Sequence, residues 1–289
     1  MKCLAWLDGT VCNLSEATVP LEDRSYLFGD GVYEVIKIYN KKPFFLKSHL
    51  KRLQNSAEAI EIKIPHSIED IERSIFDLIE KSACVEGYLY MQISRGSAKR
   101  DHLLPQGTKS SMVMYVRELS SPGSLEEIQP ADCITYPDER WFNCYIKSVN
   151  LLPNVIARHK ADEKGAVEAI FYRPGGIVTE GTRTNVFAVI DGIVRTHPES
   201  RLILSGITRM IALEILGTMD IKISEEAFNL EELKNASEVW TTSTGMEILP
   251  VARIDGQPVS DQVPGPVCHE LIKRFWRKVE ETCYDGGKR

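Results

Sequence analysis

A chain of 289 residues, 43% hydrophobic and 26% charged, is long enough to bury a sizeable core and to divide into two domains. Its formal net charge of −6 argues against nucleic-acid binding and against an anionic membrane surface as partner. No run reaches the roughly 20 apolar residues of a membrane span, and the seven cysteines, odd in number and lacking any C-x-x-C pair, read as reduced core thiols of a cytoplasmic protein.

In chain order, the first few residues are apolar and end at Asp8-Gly9. That run is too short for a signal peptide and predicts a strand and a turn. Residues 32–39, rich in β-branched and aromatic side chains, predict a second strand. Leu46, Leu50, Leu53, Ala57 and Ile60 then recur at helical spacing. A further helix starts at Ser67, with Asp70 in capping-box position and Ile68, Ile71, Ile75, Leu78 and Ile79 on one stripe. Strands are expected at 87–95 and 111–117. Leu119-Ser120-Ser121-Pro122-Gly123-Ser124 supports no regular element and reads as a linker, which divides the chain into 1–118, 119–124 and 125–289. The second part is richer in strands, expected at 133–136, 167–172, 185–190, 238–242 and 248–254. Helices are expected from 206 to 218, from 230 to 234, and from Pro266 into the tail. The pattern is α+β.

The chemistry concentrates around Lys147, in the strand-like run Ile146-Lys147-Ser148-Val149-Asn150-Leu151-Leu152 that passes into a helix-like stretch at 152–165. Alone, it reads as a lysine snorkelling from a strand end. Partly desolvated, it would have a lowered pKa and a neutral, nucleophilic amine. Glu180-Gly181-Thr182-Arg183-Thr184-Asn185 follows, ending a strand-like run with a carboxylate. Gly206-Ile207-Thr208-Arg209 is either a plain helix start or, through its N–H groups and hydroxyl, a phosphate site. Thr241-Thr242-Ser243-Thr244-Gly245 is either a polar turn or a second cluster of phosphate donors. Amine, carboxylate and phosphate-ready helix start together suit pyridoxal phosphate, which carries an aldehyde, a ring nitrogen and a phosphate. The six histidines lack metal-site spacing, so no metal is expected.

Lys147 with Asn150-Leu151-Leu152, Glu180-Gly181-x-x-x-Asn185, Gly206-Ile207-Thr208-Arg209 and Phe28-Gly29-Asp30-Gly31-Val32-Tyr33-Glu34 resemble the class IV aminotransferases, pyridoxal phosphate enzymes of fold type IV. The resemblance implies a small N-terminal α/β domain, a larger C-terminal domain with a barrel-like sheet, the cofactor held between them, and a homodimer. It implies Lys147 as Schiff-base lysine and proton shuttle, and Glu180 at the pyridine nitrogen. Arg52, otherwise a solvated residue of an amphipathic helix, becomes a phosphate ligand with Ile207, Thr208 and Thr244, and Leu204 lies against the ring. Arg100-Asp101-His102 matches the Arg-x-His signature with which D-amino acid aminotransferases, helped by a tyrosine at the Tyr33 position, hold the substrate α-carboxylate. The implied reaction moves an amino group between D-amino acids such as D-alanine or D-glutamate and 2-oxo acids such as 2-oxoglutarate or pyruvate. Within the same family, the alternatives are a branched-chain L-aminotransferase, an (R)-amine transaminase and an aminodeoxychorismate lyase. A protein that binds the cofactor without catalysis is the alternative from another class. Thr182-Arg183-Thr184 departs from the small residues usual in the family. Arg183 either points into a dimer contact or shapes the pocket for acidic side chains.

Overall fold

The computed structural model describes residues 3–284 and 287. Contacts divide it into two units. The first runs through Ser121 and includes Ile146–Asn150 and the stretch from Glu281; the second comprises Pro122–Tyr145 and Leu151–Glu280.

Unit 1 is built on a six-stranded antiparallel sheet. Its elements are β1 (Leu4–Leu7), β2 (Thr10–Asn13), α1 (Arg24–Phe28), β3 (Gly31–Tyr39), β4 (Lys42–Pro43), α2 (Leu46–Ala59), α3 (Ile68–Ser82), β5 (Gly87–Ser94) and β6 (Ser111–Glu118), with strand order β2-β1-β6-β5-β3-β4. The period of two along β3 buries Val32, Ile36 and Ile38 against the helices, in one core with Leu50, Leu53, Ile71, Ile75 and Leu78. Ser67 caps α3 as expected, its hydroxyl accepting from the Asp70 N–H at 3.1 Å. Gly29 ends α1 in the left-handed region at φ 66°, where a side chain would also run into Asn150.

Unit 2 carries β7 (Ala131–Pro137), α4 (Leu152–Asp162), β8 (Glu168–Arg173), β9 (Ile177–Gly181), β10 (Asn185–Ile190), β11 (Ile193–Thr196), α5 (Ile207–Leu216), β12 (Lys222–Ser224), α6 (Leu230–Lys234), β13 (Glu238–Ser243), β14 (Glu247–Ile254), β15 (Gln257–Pro258) and most of α7 (Pro266–Cys283). The sheet runs β12-β11-β10-β13-β14-β7-β8-β9, mixing parallel and antiparallel pairs. The Gly181 N–H donates to Thr184 O at 2.7 Å, so β9 turns back beside β10 and the sheet becomes barrel-like. All six residues of β10 are buried, which explains the apolar run that follows Asn185. Among the described residues no helix is long and apolar enough to cross a membrane.

Three features depart from the sequence expectation. Residues 146–150 form no strand; they make a single bridge, Ser148 to Val32. The Tyr33 N–H donates to Lys147 O (2.9 Å) and the Val149 N–H to Gly31 O (3.1 Å), so this segment belongs with unit 1, although the 119–124 boundary had placed it in the second domain. The residues from Glu281 also group with unit 1, where the Asn40 amide donates to Cys283 O at 3.0 Å. Both returns depend on long-range backbone pairing, which local composition does not encode.

Candidate active site

In unit 1 the chemistry gathers on β3. Four hydrogen bonds hold the Lys147 segment: the two to β3, Lys147 N–H to Ser56 Oγ (3.1 Å), and the Asn150 amide to Gly29 O (2.9 Å). Lys147 is half-buried, and its Nζ lies 4.3 Å from the centre of the Tyr33 ring. Tyr33 in turn stacks on Tyr90. On the core face of the same strand sits Glu34, fully buried. It accepts from Arg52 Nε at 2.7 Å, Arg52 Nη2 at 2.8 Å and His49 Nδ1 at 2.8 Å. His49 and Arg52 are three apart on α2 and therefore share one helix face. Burial opposes the charge on Glu34, but the Arg52 guanidinium and His49 prevail and hold its carboxyl far below the usual range. Burial lowers the His49 pKa, helped by Arg52 and Lys147 and opposed by Glu34. His49 is therefore a neutral ring donating Nδ1–H to the carboxylate. Arg52, expected as a solvated helix residue on bare sequence, is a buried side chain gripped edge-on by a carboxylate.

Arg100 and His102 lie on an exposed loop. Both meet Phe28: the Arg100 guanidinium carbon is 5.2 Å from its ring centre, and the His102 ring is edge-on at 5.5 Å. The structure thus brings this pair together on α1, while Tyr33 faces Lys147.

In unit 2 the centre is Glu180, the penultimate residue of β9 and buried. Arg140 Nη1 donates to its Oε1 at 2.6 Å; the Leu204 N–H and the Asn185 amide donate to Oε2 at 2.9 and 3.1 Å. Burial pushes the Glu180 carboxyl above the usual carboxylate range, against the pull of Arg140 and the Leu204 N–H. Asp138 grips the other edge of Arg140 through Nε and Nη2, both at 2.9 Å. Burial disfavours its charge, yet Arg140 and Arg173 keep its pKa below normal. Asn185 is the joint of this region. Its amide also donates to Leu204 O at 2.9 Å, and its Oδ1 occupies the space that a side chain on Gly206 would need. The carboxylate of Glu180 and the start of α5 are thereby held in fixed register. Gly206 is the N-cap of α5 and makes no side-chain capping hydrogen bond, and the first-turn N–H groups of Ile207 and Thr208 follow it. Thr244 lies on the β13–β14 turn, half-buried, while the buried hydroxyls of Thr241 and Thr242 have no partner among the described residues.

Each unit by itself offers groups that suit part of pyridoxal phosphate. In unit 2 a glycine-capped helix start and the hydroxyls of Thr241 and Thr242 suit a phosphate, and a buried carboxylate suits a protonated ring nitrogen; in unit 1 a half-buried amine suits an aldehyde. Sequence reasoning missed Arg140, Asp138, Glu34 and His49. Glu34 carried a legible signal, since a carboxylate at an inward position of an apolar strand must be paired. Arg140 had none, because the Glu180 that it holds lies 40 residues away.

The sequence profile of amino-transferase class IV matches residues 31–254. The D-alanine aminotransferase of Staphylococcus aureus (strain COL) is 38% identical over 276 residues, covering 95% of this chain and 97% of that protein. The D-alanine aminotransferase of Bacillus licheniformis is 41% identical over 267 residues, covering 92% of this chain and 93% of that protein. Among solved structures, the T.th. branched-chain amino acid aminotransferase with pyridoxamine 5'-phosphate is similar at a TM-score of 0.89 and 26% identity, covering 96% of this chain and 94% of that one. The branched-chain aminotransferase of Thermoproteus uzoniensis with norvaline is similar at 0.85 and 26%, covering 96% and 95%.

Proposed function

The chain belongs to the amino-transferase class IV family, and from that premise we propose that it is a pyridoxal phosphate-dependent D-amino acid aminotransferase. It exchanges an amino group reversibly between D-alanine or D-glutamate and 2-oxoglutarate or pyruvate. The observation that carries the reading is identity of 38–41%, across nearly the whole chain, to two proteins named as D-alanine aminotransferases. The likeness to branched-chain enzymes is at 26% and supports the second reading, an L-specific branched-chain enzyme.

When bound, the cofactor supplies a carbonyl that condenses with amines and a cationic ring that withdraws electrons from Cα. In the proposed roles, Lys147 is the amine that carries the cofactor and then moves the proton at the substrate Cα. Tyr33, whose ring centre lies 4.3 Å from Lys147 Nζ, orients that amine. Glu180 accepts from the ring nitrogen and keeps it protonated. Arg140, clamped by Asp138, prevents Glu180 from rotating away. Arg52 and the N–H groups of Ile207 and Thr208, with the hydroxyls of Thr208 and Thr244, hold the phosphate, and Leu204 packs on the ring. Arg100 and His102, with the Tyr33 hydroxyl, hold the α-carboxylate and so decide which face of Cα presents its hydrogen.

A homodimer and a cytoplasmic setting belong to the same proposal. The odd number of cysteines, without any C-x-x-C pair, supports the latter. The deciding experiment is a coupled assay of the loaded protein against paired D- and L-amino acids with 2-oxoglutarate. D-Alanine should turn over and L-leucine should not; the reverse result would install the branched-chain reading.

A further inference from the structure

The turn at Gly181–Thr184 is locked from inside the unit. Glu168, fully buried, accepts from the Thr182 N–H (2.9 Å), the Thr182 hydroxyl (2.5 Å) and the Thr184 hydroxyl (3.1 Å). The Asn154 amide donates to Thr182 O at 2.6 Å, and the Gly181 N–H to Thr184 O at 2.7 Å. Both threonines therefore point inward to one carboxylate, and the residue between them is the only side chain of this turn left exposed. That residue is Arg183.

Its guanidinium leans over the neighbouring turn, Nη2 lying 3.6 Å from Met246 Sδ. A thioether is a weak acceptor. Among the described residues no carboxylate lies within ion-pair distance of Arg183, unlike Arg140, Arg173 or Arg209 of the same unit. Arg183 thus stands three residues from Glu180, two from Asn185, and against the β13–β14 turn that bears Thr244. Those are the residues assigned to the ring nitrogen and to the phosphate. A planar fork of donors without an anionic partner, on a turn too constrained to withdraw it, is suited to bidentate capture of a carboxylate.

We propose that Arg183 recognises a second, side-chain carboxylate on the substrate, so that the enzyme favours dicarboxylic amino acids and their oxo acids over alanine-sized ones. The inference rests on the transaminase reading above.

The test uses the cofactor-loaded protein, Arg183→Ala and Arg183→Lys. The ratio of kcat/KM for D-glutamate to that for D-alanine should fall about ten- to a hundredfold in Arg183→Ala, the usual effect of deleting one charged hydrogen-bonding partner. Arg183→Lys, which keeps the charge but not the fork, should fall between the two. Calorimetry with glutarate, a dicarboxylate that cannot react, should show weaker binding to Arg183→Ala than to the parent. An unchanged ratio together with unchanged glutarate affinity overturns the proposal. A change of oligomeric state in Arg183→Ala with the ratio intact overturns it in favour of a subunit contact. A parent without transaminase activity would sink the functional reading instead, and glutarate binding would still report on Arg183 by itself.

Discussion

Lys147 carries the sharpest expectation at the scale of single residues. Borohydride treatment of the loaded protein followed by peptide mapping should place the pyridoxyl label on Lys147, and Lys147→Ala should abolish transamination while the phosphate donors still retain cofactor. A label on another lysine would refute the assignment. Glu180→Gln nearly preserves shape but removes the charge facing the ring nitrogen, and its single carbonyl oxygen can accept on only one of the two sides that Arg140 and Asn185 occupy. Its kcat should drop by about a hundred- to a thousandfold, the range seen when one preorganised electrostatic contact is lost from a dry site. Transamination at the parent rate would rule out this role. Arg100→Ala should raise KM by roughly ten- to a hundredfold for D-alanine and D-glutamate alike, because both share the α-carboxylate that Arg100 is proposed to hold. Unequal losses would reassign Arg100 to side-chain recognition.

Strand β3 and helix α2 are joined through one buried ion cluster, and this joint decides how unit 1 responds to acid. Glu34 has a folded-state pKa depressed far below its ordinary 4.5. A depressed carboxylate contributes stability that is fully present above 4.5 and is lost as pH falls below 4.5 towards the folded value. Glu34→Gln cannot protonate. It should destabilise the protein by about 3–5 kcal/mol at pH 7, since the buried Arg52 loses the Glu34 charge paired with it. The stability difference between parent and variant should then shrink as pH is lowered through 4 to 3. Urea melts at several pH values would read this, and a difference independent of pH would show that the carboxylate is not the titrating group. At the same scale, helix α3 was legible because its cap and stripe are local, whereas the bend at Lys147 was not, because its hydrogen bonds go to Gly31, Tyr33 and Ser56.

At the scale of the whole molecule, the proposed homodimer needs a surface that a single chain leaves open. On α4 the apolar side chains Leu152, Val155 and Ile156 are exposed at 69%, 59% and 45%. Large apolar side chains grouped on one helix face mark an association surface. If the proposed homodimer uses this face, Val155→Asp should convert it to monomer, because burying an unpaired carboxylate opposes association. Sedimentation velocity would detect the change. A parent that is already monomeric would remove the dimer from the proposal.

What the sequence determined by itself was whatever depends on neighbours along the chain. The periods of β3, α2 and α3, the cap at Ser67, the class of the fold and the resemblance that singles out Lys147 and Glu180 all come from short-range order or from motifs read whole. Only the tertiary structure decided what each of those side chains faces. It moved Lys147 into unit 1, turned Arg52 from a solvated cation into a buried one held by Glu34, clamped Glu180 with Arg140, and left Arg183 outside a turn tied down by Glu168. The physical reason is range: periodicity and capping act over three or four residues, whereas hydrogen bonding and charge pairing in a dry interior join groups that the chain itself keeps 14, 18 or 40 residues apart.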